Sequence, residues 1–216
     1  MLIGTAACKS TENTATSPST SDPDNGRPEL EALYWARVDS SRMNFTEADV
    51  SFMTGMIAHH AQALVMSRLA PENNASAEIQ RLAARIINAQ KDEISSMQRW
   101  LRDRDQPVPE IEIEGLNLMI EIEGEPYTSY KKMHGVLSQE QIEELANARG
   151  PEFNRLFLEY MIEHHSGAVH MVEHLFATDG AAQDEEAFRL ASDIQVDQRT
   201  EIDRMNLMLE QLAGSG

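Results

Sequence analysis

The stretch Phe52-Met53-Thr54-Gly55-Met56-Ile57-Ala58-His59-His60-Ala61-Gln62-Ala63 returns later in the chain as Phe157-Leu158-Glu159-Tyr160-Met161-Ile162-Glu163-His164-His165-Ser166-Gly167-Ala168. Phe52 aligns with Phe157, Met56 with Met161, Ile57 with Ile162, Ala63 with Ala168 and Met66 with Met171, all at one offset of 105 residues. Within each copy the apolar positions recur at three-, four- and seven-residue intervals, the period of an amphipathic helix. Four of the seven histidines of the chain lie in these two copies, on or beside the apolar stripe. A repeat that keeps imidazoles and thioethers on a buried face points to a metal site.

Working outward, Thr46 with Asp49 has the spacing of a helix start, and Pro71 with Glu72-Asn73-Asn74 ends the segment, giving a helix over about 46–70. A second periodic run, Ile79, Leu82, Ala83, Ile86, Ile87, Ile94, Met97 and Leu101, predicts a helix over about 75–103. The short connection makes the two an antiparallel hairpin. Pro107 and Pro109 open a linker over 104–137. Its alternating Ile111-Glu112-Ile113-Glu114 and Ile120-Glu121-Ile122-Glu123 are read either as short extended pieces or as solvated loop. Ser138 with Gln141 forms a capping box for a short helix ending near Gly150, and Pro151 suits the first turn of a helix over about 151–178.

After Thr178-Asp179-Gly180 a last helix repeats the second pattern: Gln90, Glu93, Ile94 and Met97 match Gln198, Glu201, Ile202 and Met205 at an offset of 108. The unit is therefore a duplicated helical hairpin. Two such hairpins make an all-α four-helix bundle over 46–212, with hairpins at 46–103 and 138–212 related by a pseudo-twofold axis.

Composition bounds what such a bundle can do. Eighteen basic against 36 acidic residues give a formal charge of −18, which opposes nucleic-acid binding and draws cations; the same acidity also serves plain solubility. The one cysteine, Cys8, rules out an intrachain disulfide. Leu2-Ile3-Gly4-Thr5-Ala6-Ala7-Cys8 resembles the end of a bacterial lipoprotein signal, although Thr5 stands where a branched aliphatic residue is usual and no charged or long apolar stretch precedes it, as a truncated start would leave it. That resemblance implies export, to the periplasm or outer surface, with a lipid anchor at Cys8. A cytoplasmic N-terminus is the alternative. Residues 1–8 are thus read as a signal remnant and 9–45 as a polar tether and lead-in, the run from Lys9 to Arg27 being too poor in apolar residues to fold. No later segment approaches the roughly 20 apolar residues of a membrane span.

On a helical wheel Phe52, Met56, His60 and Ala63 share one side, with His59 on the other flank of the stripe. Met56 and His60 are one turn apart, as are Met161 and His165. Gln90 and Glu93 fall on the apolar stripe of the second helix, and Gln198 and Glu201 on that of the fourth. A buried carboxylate is costly unless it is paired or binds a cation, so histidine helices facing carboxylate helices give each group a partner. Adjacent histidines point about 100° apart, which makes His60 and His165 the expected inward pair and His59 and His164 the second. Met56, Met97, Met161 and Met205 are either thioether ligands or core filling. His170 and His174, one turn apart, are read as a solvated outer face, with weak surface metal binding as the alternative, and His134 in the linker carries no signal of its own.

The two phrases Phe-Met-x-x-Met-Ile-x-His-His-x-x-Ala and Phe-Leu-x-x-Met-Ile-x-His-His-x-Gly-Ala, each followed by Gln-x-x-Glu-Ile-x-x-Met, resemble the bacterial family known as domain of unknown function 305. The resemblance covers about residues 46–212. It implies a ferritin-like bundle, an exported protein, and copper as the cargo, since the family includes periplasmic copper-binding proteins. Thioethers are soft donors that select Cu(I), while imidazole and carboxylate also accept Cu(II), zinc or iron. Classical di-iron bundles place Glu three residues before each His. Here those positions are Ile57 and Ile162, and no nucleophile or substrate pocket is visible, so a non-enzymatic binding protein is expected. The competing reading is a structural or interaction bundle whose His and Glu residues form a buried hydrogen-bond network. No protein partner is legible.

Overall fold

The computed structural model describes residues 27–42 and 44–214. The signal remnant at 1–8 and the tether from Lys9 to residue 26 lie outside them. Two units divide at residues 38 and 39. Most of helix α1 (Arg27–Arg42) belongs to the first. The lead-in that follows the polar tether therefore carries a helix, whose Leu30, Leu33, Tyr34 and Trp35 are exposed. Apolar residues resume at helical spacing from Leu30.

In the second unit the helices expected over 46–70 and 75–103 run as α2 (Glu47–Arg68) and α3 (Ala77–Arg102). Thr46 and Asp49 form the capping box of α2. Asp49 also accepts the backbone N–H of Ala182 at 2.7 Å, fastening the start of α2 to the loop before the last helix. The linker folds into an antiparallel sheet of β1 (Glu110–Glu114), β2 (Asn117–Ile122) and β3 (Glu125–Pro126), so its Ile-Glu alternation marks strands rather than loop. The pairing Glu114↔Asn117 leaves a two-residue turn led by Gly115 at φ 57°. Ile122↔Glu125 closes over Glu123 and Gly124, both at positive φ, which matches strand twist in a tight hairpin. The isoleucine face turns toward α2, where Ile120 packs with Ala58, Ala61 and Tyr130.

The short helix α4 (Gln139–Asn147) carries the Ser138–Gln141 capping box. The long helices α5 (Gly150–Ala177) and α6 (Glu185–Gly214) complete the second hairpin. The fold is all-α, a ferritin-like bundle of two duplicated hairpins with one small sheet.

Two apolar clusters fill the bundle, and their membership gives the helix directions. One joins Ala63 and Met66 of α2, Ile79 to Ile86 of α3, Phe157 and Met161 of α5 and Met205 of α6. The other joins Phe52 and Met56, Ile94 and Met97, Ala168 and Val172, and Ala187 to Ile194. Each long helix therefore crosses from one cluster to the other. The residues between them, His59-His60, Gln90 and Glu93, His164-His165, and Gln198 and Glu201, occupy the waist.

The linker is bound to that waist from outside. Gln62 donates from Nε2 to the Leu137 carbonyl at 2.9 Å and accepts the Leu137 N–H at 2.8 Å. These bonds are buried, and losing their side-chain half leaves two backbone groups without a partner. Gln62→Ala is expected to lower stability by about 2 kcal/mol, read from the urea midpoint at unchanged m-value. A variant within a few tenths of wild type would contradict this role.

Candidate metal centre

All four repeat histidines are fully buried. His60 donates from Nε2 to Glu93 at 2.6 Å, and His165 donates from Nε2 to Glu201 at 2.7 Å. The helical stripes set histidine helices against carboxylate helices without assigning partners, and the structure pairs them within each hairpin. The second pair is as deeply buried as the first. His59 and His164 are not peripheral: their rings meet across the pseudo-twofold axis with centroids 3.9 Å apart, while His59–His60 and His164–His165 stand at 6.4 and 6.2 Å. The linker sheet packs on Ala58 and Ala61 of α2, and the His134 carbonyl that follows it reaches His59. Burial of α2 is therefore nearly complete around its circumference.

His59 donates from Nε2 to the His134 carbonyl at 3.3 Å, and His164 donates from Nε2 to the His59 carbonyl at 3.1 Å. Each of these acceptors is a carboxylate or carbonyl oxygen, so in each ring Nε2 carries the proton and a neutral ring presents its lone pair at Nδ1. None of the four Nδ1 atoms has a protein hydrogen-bond partner. Burial, followed by the neighbouring His60, lowers the His59 pKa to about 3. Burial, followed by His59, lowers His164 well below its ordinary value. Both imidazoles are neutral at pH 7. A ring whose other nitrogen donates to a carboxylate or carbonyl is the arrangement found behind metal-bound histidine.

Gln90, one turn before Glu93, is buried with both amide atoms unpartnered, and Gln198 is buried with Oε1 unpartnered. Glu93 and Glu201 keep 15 % and 10 % of their side-chain surface, so the carboxylates reach the edge of the bundle. There they join Asp197, whose pKa is raised by burial and then by Glu93 and Glu201. The thioethers of Met56 and Met97 lie in one apolar cluster and those of Met161 and Met205 in the other, so the methionines flank the imidazole layer as parts of the core. Among the described residues no three His, Cys, Asp or Glu side chains are arranged around one ion, so the layer is not a closed tetrahedral shell of the structural-zinc kind.

Sequence reasoning missed the part played by the linker. Gly135 and Gly167 let it lie directly on α5: a Cβ on Gly167 would stand 2.0 Å from the His134 carbonyl oxygen, and one on Gly135 would stand 2.6 Å from the Glu163 oxygen. That close approach delivers the carbonyl that holds His59. The repeat itself carried a signal for it, since position 167 is Gly where its counterpart is Gln62.

The family described as Domain of unknown function (DUF305) matches residues 49–209. The chain belongs to the DUF305 family. Among solved structures, a DUF305 fragment from Deinococcus radiodurans is 29 % identical, with a TM-score of 0.62, covering 77 % of this chain and 98 % of that one. A DUF305 protein from Streptomyces coelicolor, thought to be secreted, is 25 % identical at a TM-score of 0.62, covering 77 % and 92 %. CopM in its Cu(II)-bound form is 27 % identical at a TM-score of 0.56, covering 76 % and 96 %. CopM has also been solved in Cu(I)-bound and Ag-bound forms. None of the curated proteins compared with the chain matches it.

Proposed function

We propose that this DUF305 protein is an exported, non-enzymatic copper-binding protein that sequesters or hands over the ion. The observation that carries the reading is the set of four buried imidazoles, His59, His60, His164 and His165, each with Nε2 committed to an oxygen and Nδ1 unpartnered. Because no three of these side chains converge on one point among the described residues, the Nδ1 atoms would hold Cu(I) two at a time, with Glu93 and Glu201 fixing two rings and Gln90 and Gln198 beside them. Met56, Met97, Met161 and Met205 supply a soft, apolar surround that favours the monovalent state. The net charge of −18 and the acidic rim at Glu93, Asp197 and Glu201 would draw cations to the bundle edge. Resemblance to CopM, whose structures hold Cu(I), Cu(II) and Ag, supports copper over zinc or iron. The Streptomyces neighbour and the sequence around Cys8 support export, with a lipid anchor at that cysteine.

One observation favours the structural alternative: the His60–Glu93 and His165–Glu201 bonds are complete without any ion. Against it stands the cost of what remains. An unpartnered buried polar group costs about 1–3 kcal/mol, and four such nitrogens with a buried Gln90 amide would consume much of the roughly 5–15 kcal/mol of a typical domain. A network evolved only for stability would close those groups.

Anaerobic titration of the ¹⁵N-labelled protein with Cu(I), and in parallel with Ag(I) and Zn(II), tests the proposal. Cu(I) and Ag(I) are expected to move the Nδ1 resonances of the four rings and leave Nε2 protonated, with Zn(II) bound far more weakly. Combined His59→Ala and His164→Ala, or His60→Ala and His165→Ala, should weaken binding strongly. Unmoved Nδ1 signals at saturating Cu(I), or equal affinity for Zn(II), would return the four histidines to a purely structural role.

A further inference from the structure

Outside the imidazole layer, a second group of soft donors gathers where the linker crosses the start of α2 and the far half of α5. An open cleft of about 370 Å³ there is lined by Met133, His134, His170, Met171 and His174, together with apolar and hydroxyl side chains of α2 and α5. His134, from the linker, and His170, from α5, bring their rings to 5.3 Å centroid separation at an interplanar angle of 43°. Met133 and Met171 converge on Gly55: a Cβ built there would meet the Met133 methyl at 2.8 Å and the Met171 methyl at 3.3 Å. The position equivalent to Gly55 in the second copy is Tyr160, so the small residue that admits these two thioethers occurs in one half only.

The chemistry of the lining is selective. In a chain with 36 acidic residues this cleft has no carboxylate among its walls, so a hard cation such as Mg(II) or Ca(II) finds no charged oxygen ligand. Thioether and imidazole together suit a soft ion. Three of the donors, His134, His170 and His174, are exposed, and Met133 and Met171 are partly so. Open access and soft donors suit capture from solution.

We propose that this cleft is a second, solvent-facing site for a soft monovalent cation, Cu(I) or Ag(I), held by His134, His170, Met133 and Met171, with His174 one turn further along α5. It is built from different residues than the buried layer and adjoins it, because the backbone oxygen of His134 accepts the Nε2–H of His59. Only its physiological meaning, as an entry point for copper, rests on the proposed function; its occupancy does not.

Titration of protein carrying ¹³C-methyl methionine and ¹⁵N-histidine with Ag(I) separates the two sites. The methyl signals of Met133 and Met171 and the ring signals of His134 and His170 are expected to shift together. The double variant His134→Ala, His170→Ala should bind one fewer equivalent by native mass spectrometry while the four buried rings still respond. Met171→Leu should lose the same equivalent with its thermal unfolding unchanged. The alanine at 134 retains the carbonyl that holds His59, so the fold is spared. Met133 and Met171 methyls that stay unmoved at saturating Ag(I), or a double variant that keeps every equivalent, would overturn the site. A cleft that responds while the buried rings do not would sink the proposed function and leave this inference standing.

Discussion

Gly167→Ala is expected to destabilise the protein by about 3–5 kcal/mol, although alanine is the better helix former by about 1 kcal/mol. The added Cβ would stand 2.0 Å from the His134 carbonyl oxygen and 2.6 Å from its carbon, so more than 1 Å of relief is needed. Both partners are backbone, and neither can rotate aside. The linker must move off α5, which withdraws the carbonyl from His59 and leaves a buried Nε2–H without an acceptor, itself a loss of about 1–3 kcal/mol. Gly55→Ala is the internal control: the nearest neighbours of its new Cβ are the flexible thioether ends of Met133 and Met171, so helix propensity offsets the crowding and stability changes by less than about 1 kcal/mol. Urea unfolding of both variants checks the contrast. A Gly167→Ala protein as stable as wild type would mean that the linker does not bear on α5 as described.

How far this architecture could be read from the chain depends on what one helix reveals of itself. The 3.6-residue period and the offset repeats fix which residues of α2, α3, α5 and α6 face inward. That histidine helices face carboxylate helices follows from stripes alone, whereas the choice of Glu93 by His60 and of Glu201 by His165 is seen only in the structure. The meeting of His59 with His164 is likewise absent from the stripes, because it depends on how α2, α5 and the linker pack together, a tertiary event with no period in sequence. The breaks in the repeat were the legible trace of that event. At Gln62 and Gly167 the linker touches both hairpins in different ways, through the Leu137 backbone on one and the His134 carbonyl on the other, and at Gly55, against Tyr160 in the second copy, it lays Met133 on the first. His134 had no motif to mark it, since its contribution to His59 is a backbone oxygen that any residue could supply. Helix α1 escaped notice for a different reason: with no counterpart elsewhere in the chain, its Leu30, Leu33, Tyr34 and Trp35 had only a single short stretch in which to declare a period.

Acidification from pH 7 to pH 4 is expected to cost about 3 kcal/mol of stability through His59 alone, with His164 adding in the same direction. The folded pKa of His59, about 3, lies below its unfolded value of 6.5, so between them the unfolded chain binds the extra proton and the folded chain does not. Stability therefore rises with pH across that window, is complete above about 6.5, and is lost as the pH falls toward 3. Other groups titrate over the same range, so the diagnostic is a difference: the slope of unfolding free energy against pH should flatten in a His59→Gln protein relative to wild type. Identical slopes would mean that His59 is not held neutral by burial. The same shift bears on cargo. A proton competes for the His59 lone pair in the folded protein only near pH 3, so Ag(I) bound there should remain bound at pH 5, where a solvent-exposed imidazole is already largely protonated. Loss of the ion at pH 5 without unfolding would place it on ligands other than this ring, whereas retention until the bundle opens would tie release to the stability of the imidazole layer.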